Sequence, residues 1–154
     1  MSTTAPERIA FNAYRDALIK SLGRKALDDQ TLDRAGRELF KDAWGGVFPV
    51  DRVKLQPYKY TIINTDPHDK SGEHWLACYC TAKRAYVWDS YSRPIHKIAP
   101  LLIKTIHTSK MTLGKTDQIK QHEQIGFTSE VCGVLCLAFL LVVMQYGISH
   151  ARNI

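Results

Sequence analysis

No run of about 20 apolar residues occurs, so nothing in the chain reads as a membrane crossing. The longest apolar stretch, Val131 to Met144, covers 14 residues and suits a buried core helix. Met1 to Ala5 lacks a basic start and an apolar leader, so secretion is not expected. Cysteine is scarce. The four residues Cys78, Cys80, Cys132 and Cys136 form a CxC pair and a C-x3-C pair, which do not make a disulfide framework. Reduced thiols are the expectation. No internal repeat, low-complexity tract or Pro/Gly/Ser linker divides the chain. What remains is globular: 154 residues, 45% hydrophobic and 23% charged, room for a single domain over 1–154.

Acidic residues are outnumbered, 15 against 21 Lys and Arg, for a net charge of +6. The surplus is concentrated. Lys83, Arg84, Arg93, Lys97, Lys104, Lys110, Lys115 and Lys120 face only Asp89 and Asp117 between positions 83 and 120. Such a surface attracts polyanions, although many ordinary soluble proteins carry one.

Apolar spacing predicts a helix over 6–22, with Pro6 in its first turn, Ile9, Ala13, Tyr14, Ala17 and Leu18 on one face, and Gly23 at its end. Thr31 is placed to cap a second helix carrying Leu32, Ala35, Leu39, Phe40 and Ala43, which Gly45-Gly46 would stop. Tyr58 to Thr65, Trp75 to Thr81 and Ala85 to Asp89 read as strands, the last two joined by the turn Ala82-Lys83-Arg84. Ile95 to Ile106 reads as a helix that Pro100 either kinks or starts. A polar stretch, Thr112 to Ser129, leads into the apolar helix beginning near Cys132. Together these elements make an α+β domain.

Cys132 opens that helix, where the helix dipole and free backbone N–H groups favour a thiolate. Gly133 after it leaves room for a substrate backbone. The competing reading is a buried structural thiol, and for Cys136, one turn further in, that reading prevails. A thiolate needs a base, and the base needs an orienting group. His74 ends a polar loop and begins a strand, while Asp89 ends the next strand fifteen residues later. A hairpin between them brings the two side chains together, so that the carboxylate selects one imidazole tautomer. Taken singly, a loop histidine and a strand-end aspartate are ordinarily just solvated. An oxyanion needs donors. The Cys132 N–H is one, and Gln124 or Gln121 upstream offers a second. Trp75 either shields the imidazole or fills the core. Trp44 and Phe48 around Gly45-Gly46 either line a groove or anchor a turn. Cys78 and Cys80 lie on one strand face, a poor zinc site without a second pair, and core packing is the expected role.

The order His74, Asp89, Gln124, Cys132-Gly133 resembles the adenovirus maturation proteases (adenains) and, more distantly, the SUMO-specific proteases. Papain-like enzymes place the cysteine first. Four stretches over about residues 44 to 140 carry the likeness: Trp44 to Pro49, Ile62-Ile63-Asn64-Thr65 with Gly72 to Trp75, Tyr86 to Tyr91, and Gln124 to Phe139 with its Cys-Gly-x-x-Cys-x-x-Phe-Leu ending. The chain departs from adenain at Asp89, where adenain has glutamate and SUMO proteases have aspartate. It also continues only 22 residues past Cys132, without adenain's long C-terminal extension. Adenain takes a disulfide-tethered peptide activator; here no cysteine lies between Cys80 and Cys132 to hold one.

The resemblance implies an adenain-like fold, with a central mixed, largely antiparallel sheet packed on the helix of Cys132. A helical region at 1–43 would precede a catalytic core at 44–140. It implies a cysteine endopeptidase from a DNA virus other than an adenovirus, cutting virion precursor proteins near glycine, in the virion and the host nucleus or cytoplasm. Cys132, His74, Asp89 and Gln124 would be catalytic, and Trp75, Gly46 and Gly133 would touch substrate. No metal or other cofactor is expected, apart from activation by non-specific duplex DNA held by Lys83, Arg84, Lys97, Lys104, Lys110, Lys115 and Lys120. A monomer without membrane contact is expected. Two other readings stand beside this one: a SUMO or ubiquitin-like deconjugating protease, and a non-catalytic DNA-packaging or scaffold protein.

Overall fold

Helix α1 (Pro6–Leu22) begins on the proline that lacks a backbone N–H and ends at Gly23, whose φ of +86° suits the residue without a side chain. Its buried side is centred on Phe11, with Ala10, Tyr14, Leu18 and Leu22 packed beside it. Ile9 points outward, which turns the face expected from sequence, because the bulky Phe11 takes the core position. The computed structural model describes residues 5–70, 74–114, 116 and 131–154.

Helix α2 (Asp29–Phe40) is capped by Asp28, whose carboxylate accepts the Thr31 N–H at 2.7 Å. Thr31 is therefore the capped residue, not the cap. The helix gives way at Lys41, not at Gly45-Gly46, and a single tight turn (Lys41–Ala43) leads into strand β1 (Trp44–Pro49). The two glycines belong to that strand. A Cβ on Gly45 would stand 2.4 Å from Thr61 Oγ1, so glycine there lets two strands approach.

Strands β2 (Tyr60–Asn64), β3 (Trp75–Cys80) and β4 (Arg84–Trp88) follow the sequence expectation closely. Pro100 starts a helix: α3 (Ile95–Ile98) and α4 (Pro100–Thr108) are separate. A short edge strand, β5 (Thr112–Gly114), was not expected. The sheet runs β1-β2-β3-β4-β5. Only β2–β3 and β3–β4 are antiparallel; β1 and β5 run parallel to their neighbours. The sheet is thus mixed, with the antiparallel part at its centre. Both parallel strands are set by long connections, one of them the α3–α4 crossover.

Helix α5 (Cys132–Tyr146) lies on one face of the sheet with α1 and α2, followed by α6 (Ile148–Ala151). Every residue from Cys132 to Val143 is buried, which accounts for a helix apolar on all sides. No helix among the described residues is long and apolar enough to cross a membrane. The other face packs Ile63, Leu76, Cys78, Cys80 and Val87 under Leu102 and Ile106 of α4. Strand alternation sends Cys78 and Cys80 to this second layer, as their spacing predicts, with their sulfurs 4.0 Å apart.

Candidate active site

His74 immediately precedes β3, and its carbonyl accepts the Thr65 N–H at 2.9 Å, which ties the residue to the end of β2. Asp89 immediately follows β4. The antiparallel register Ala77↔Trp88 and Cys78↔Val87 leaves the two residues side by side at one end of the hairpin. His74 Nε2 meets Asp89 Oδ1 at 2.5 Å. The Cys132 side chain at the start of α5 lies close enough to the imidazole to help raise its pKa. With Nε2 committed to Asp89, Nδ1 is the nitrogen left for the thiol. Three residues distant in sequence thus converge in one buried cluster: Cys132 is 4% exposed, His74 6% and Asp89 0%.

The electrostatics follow from that contact. Burial disfavours a charged ring on His74, but the hydrogen bond to Asp89 and the interaction with Cys132 outweigh it and lift its pKa to about 9. Burial likewise opposes the Asp89 carboxylate, yet His74 and Arg93 hold its pKa down at about 2. A protonated imidazole held by a carboxylate beside a cysteine is an arrangement that can support a thiolate nucleophile. The other thiols are placed differently. Burial pushes Cys136 well up, and the neighbouring Cys132 and Asp89 push it further; its Sγ donates to the Trp75 carbonyl at 3.3 Å. Cys78, hydrogen-bonded to Cys80 and buried, is also raised well above the usual range.

Trp75 is half-buried beside α5, and its indole N–H donates to the Leu27 carbonyl between α1 and α2 at 3.2 Å. It fills the core edge next to His74. A Cβ on Gly133 would lie 3.1 Å from Leu32 and 3.5 Å from Trp75, so this glycine permits close packing of the nucleophile's helix on α2. Gly46 is not brought to the cluster. It pairs with Thr61, four residues along β2 from Thr65, the partner of His74. Gln124 and its rival Gln121 lie outside the described residues, as do Lys115 and Lys120. Lys83 and Arg84 are exposed at the far end of the hairpin, and Thr112 N–H on Lys83 O brings exposed Lys110 close to that turn. Lys97 and Lys104 are exposed on α3 and α4.

Two contributors were not foreseen. Arg93, counted in the sequence only as a surface cation, grips Asp89: its backbone N–H and Nε donate to Oδ2 at 3.0 and 2.8 Å. Tyr91 lies against the His74 ring, centroids 5.3 Å apart. The available signal was the turn-rich Asp89-Ser90-Tyr91-Ser92, which folds the next residue back on the aspartate.

No protein-family model matches the sequence, and no curated protein matches it.

Proposed function

We propose that this chain is a thiol endopeptidase with an adenain-like fold. One observation supports the reading above all: a buried histidine hydrogen-bonded to an anchored aspartate and electrostatically coupled to a helix-start cysteine. Cys132 Sγ attacks the scissile carbonyl, forming the carbon–sulfur bond of a tetrahedral intermediate. His74 passes its proton to the leaving amine as the carbon–nitrogen bond breaks, and a thioester remains on Cys132. Water, deprotonated by His74, then attacks the thioester; as the carbon–sulfur bond breaks, the acid product leaves and the Cys132 thiolate is restored beside the protonated His74. Asp89 keeps the imidazole oriented throughout. The Cys132 N–H and the Gln124 amide stabilise the oxyanion in this proposal.

The resemblance of His74, Asp89, Gln124 and Cys132-Gly133 to adenain further suggests viral precursors cut near glycine. The test is to incubate the protein with a capsid precursor, a Gly-Gly peptide panel, and SUMO and ubiquitin conjugates. Cleavage of the precursor and the glycine peptides is expected. Cleavage of the conjugates alone would replace this substrate class with deconjugation, and no cleavage at all would remove the peptidase reading.

DNA binding is proposed as an accessory property. The exposed cations near Lys83 and Lys110 sit at the opposite end of β3 from His74, roughly 20 Å away for a strand of this length. Binding should be independent of sequence and fall with salt at a log–log slope of about −0.9 per phosphate neutralised. Charge reversal at Lys104, Lys110 and Lys115 should flatten that slope and leave DNA-free peptide cleavage unchanged. Absence of duplex binding at about 50 mM salt would reduce the surplus charge to a solubility feature.

A further inference from the structure

Asp89 is enclosed by its own chain. After β4 the backbone turns back on itself, with Ser92 N–H donating to Asp89 O at 2.8 Å and Ser92 at a φ of +56°. That reversal returns Arg93 to the carboxylate. Oδ2 accepts the Arg93 N–H at 3.0 Å and its Nε–H at 2.8 Å, while Nη2 reaches Oδ1 at 3.4 Å. Oδ1 is the oxygen that His74 Nε2 meets. The guanidinium also stands over the Tyr91 ring, 4.9 Å from its centroid, and that ring lies 5.3 Å from the imidazole at a tilt of 32°. Arginine, tyrosine, histidine and aspartate therefore form a closed circuit in which each side chain touches two others.

We propose that Arg93, with Tyr91 as its wedge, is the positioning residue of the site: it locks the Asp89 carboxylate in the plane from which Oδ1 can hold the imidazole toward Cys132. This rests on the reading of His74 as the base of Cys132. A carboxylate at a strand end has a free χ2 torsion, and rotation would take Oδ1 away from Nε2. A two-point guanidinium grip plus a backbone N–H removes that freedom, which a lysine's single point charge would not. Tyr91 acts from the other side. Its ring face meets the guanidinium and the imidazole, so it limits ring swing while offering both cations an attractive surface. The Arg93 side chain is 42% exposed, so its loss leaves no core cavity and its effect should appear in the chemistry and not in the fold.

Charged and titratable groups that face Asp89 include His74, Arg93 and the Cys136 thiol. Removing the Arg93 cation lets Asp89 return upward from about 2 toward its ordinary value. The experiment compares Arg93→Ala and Arg93→Lys with the unaltered chain by kcat and KM on a cleaved glycine peptide, and by the pH profile of Cys132 alkylation with iodoacetamide. Arg93→Ala should lower kcat roughly tenfold or more at unchanged KM, as a misplaced base does. Its acid-side loss of alkylation should move up by about one pH unit. Arg93→Lys should recover the pH profile and only part of kcat, since charge returns without the two-point grip. Should the unaltered chain cleave no peptide, the peptidase reading fails while the alkylation profile still decides the role of Arg93. An Arg93→Ala profile and kcat within twofold of the unaltered chain overturn the proposal. So does a loss that Arg93→Lys shares in full and that a lowered melting temperature explains.

Discussion

Cys132→Ala folds normally and cleaves nothing. The expected loss is at least about 10^4-fold, down to what oxyanion donors and binding can do without a covalent route. The substitution removes a single sulfur from a nearly closed site, and neither α5 nor its packing depends on that atom: Gly133, Leu135 and Val134 bury the same helix turn. Circular dichroism and the melting profile should therefore match the unaltered chain near neutral pH. One further change is diagnostic. Part of the upward pull on His74 comes from Cys132, so the imidazole of Cys132→Ala should titrate below about 9, measurable by NMR of its ring protons. An unchanged titration would mean that the cysteine and the histidine do not communicate.

His74→Ala is the second large effect. Loss of the group that both takes and returns the proton should cost about 10^3-fold or more in turnover. Asp89→Asn should cost far less, because an amide oxygen still accepts from Nε2–H and a thiolate–imidazolium pair does not require a charged orienter. The pair also makes stability depend on pH with a definite sign. His74 is raised from 6.5 to about 9, so its contribution is complete below pH 6.5 and disappears as pH climbs through about 9. Asp89 is depressed from 3.8 to about 2, so its contribution is present above pH 3.8 and is lost as pH falls through about 2. Melting temperature should be flat between those limits and fall on either side. In His74→Ala the alkaline decline between 6.5 and 9 should shrink, and a decline of undiminished size would contradict the assignment.

The hairpin was legible because alternating β-branched and aromatic residues flank a short polar turn, and the ends of such a unit must meet. That geometry alone brought His74 to Asp89. Strand β1 was hidden because Gly45-Gly46 reads locally as a helix stop. The need for glycine there is the approach of Thr61, a contact made sixteen residues away. Asp28 and Thr31 are both good caps, and only the backbone geometry decides that the aspartate accepts. The α1 face shifted for a tertiary reason too: Phe11 stacks edge-on against Trp88, and a large ring outweighs the spacing of Ile9, Ala13 and Ala17. Arg93 was illegible as a site residue since its position depends on the left-handed Ser92, which periodicity does not reveal. The placement of β5 likewise depends on pairing with β4, since three residues carry too little pattern to announce a strand.

The most direct measurement is the site of alkylation. The protein is exposed briefly to substoichiometric iodoacetamide at about pH 6, where an ordinary thiol with a pKa of about 8.5 is almost wholly protonated, and the adduct is located by peptide mass spectrometry. Labelling of Cys132 ahead of Cys78, Cys80 and Cys136, and its loss in His74→Ala, is the expected result. Equal labelling of all four cysteines, or a Cys132 rate that His74→Ala leaves untouched, would contradict a thiolate held by His74.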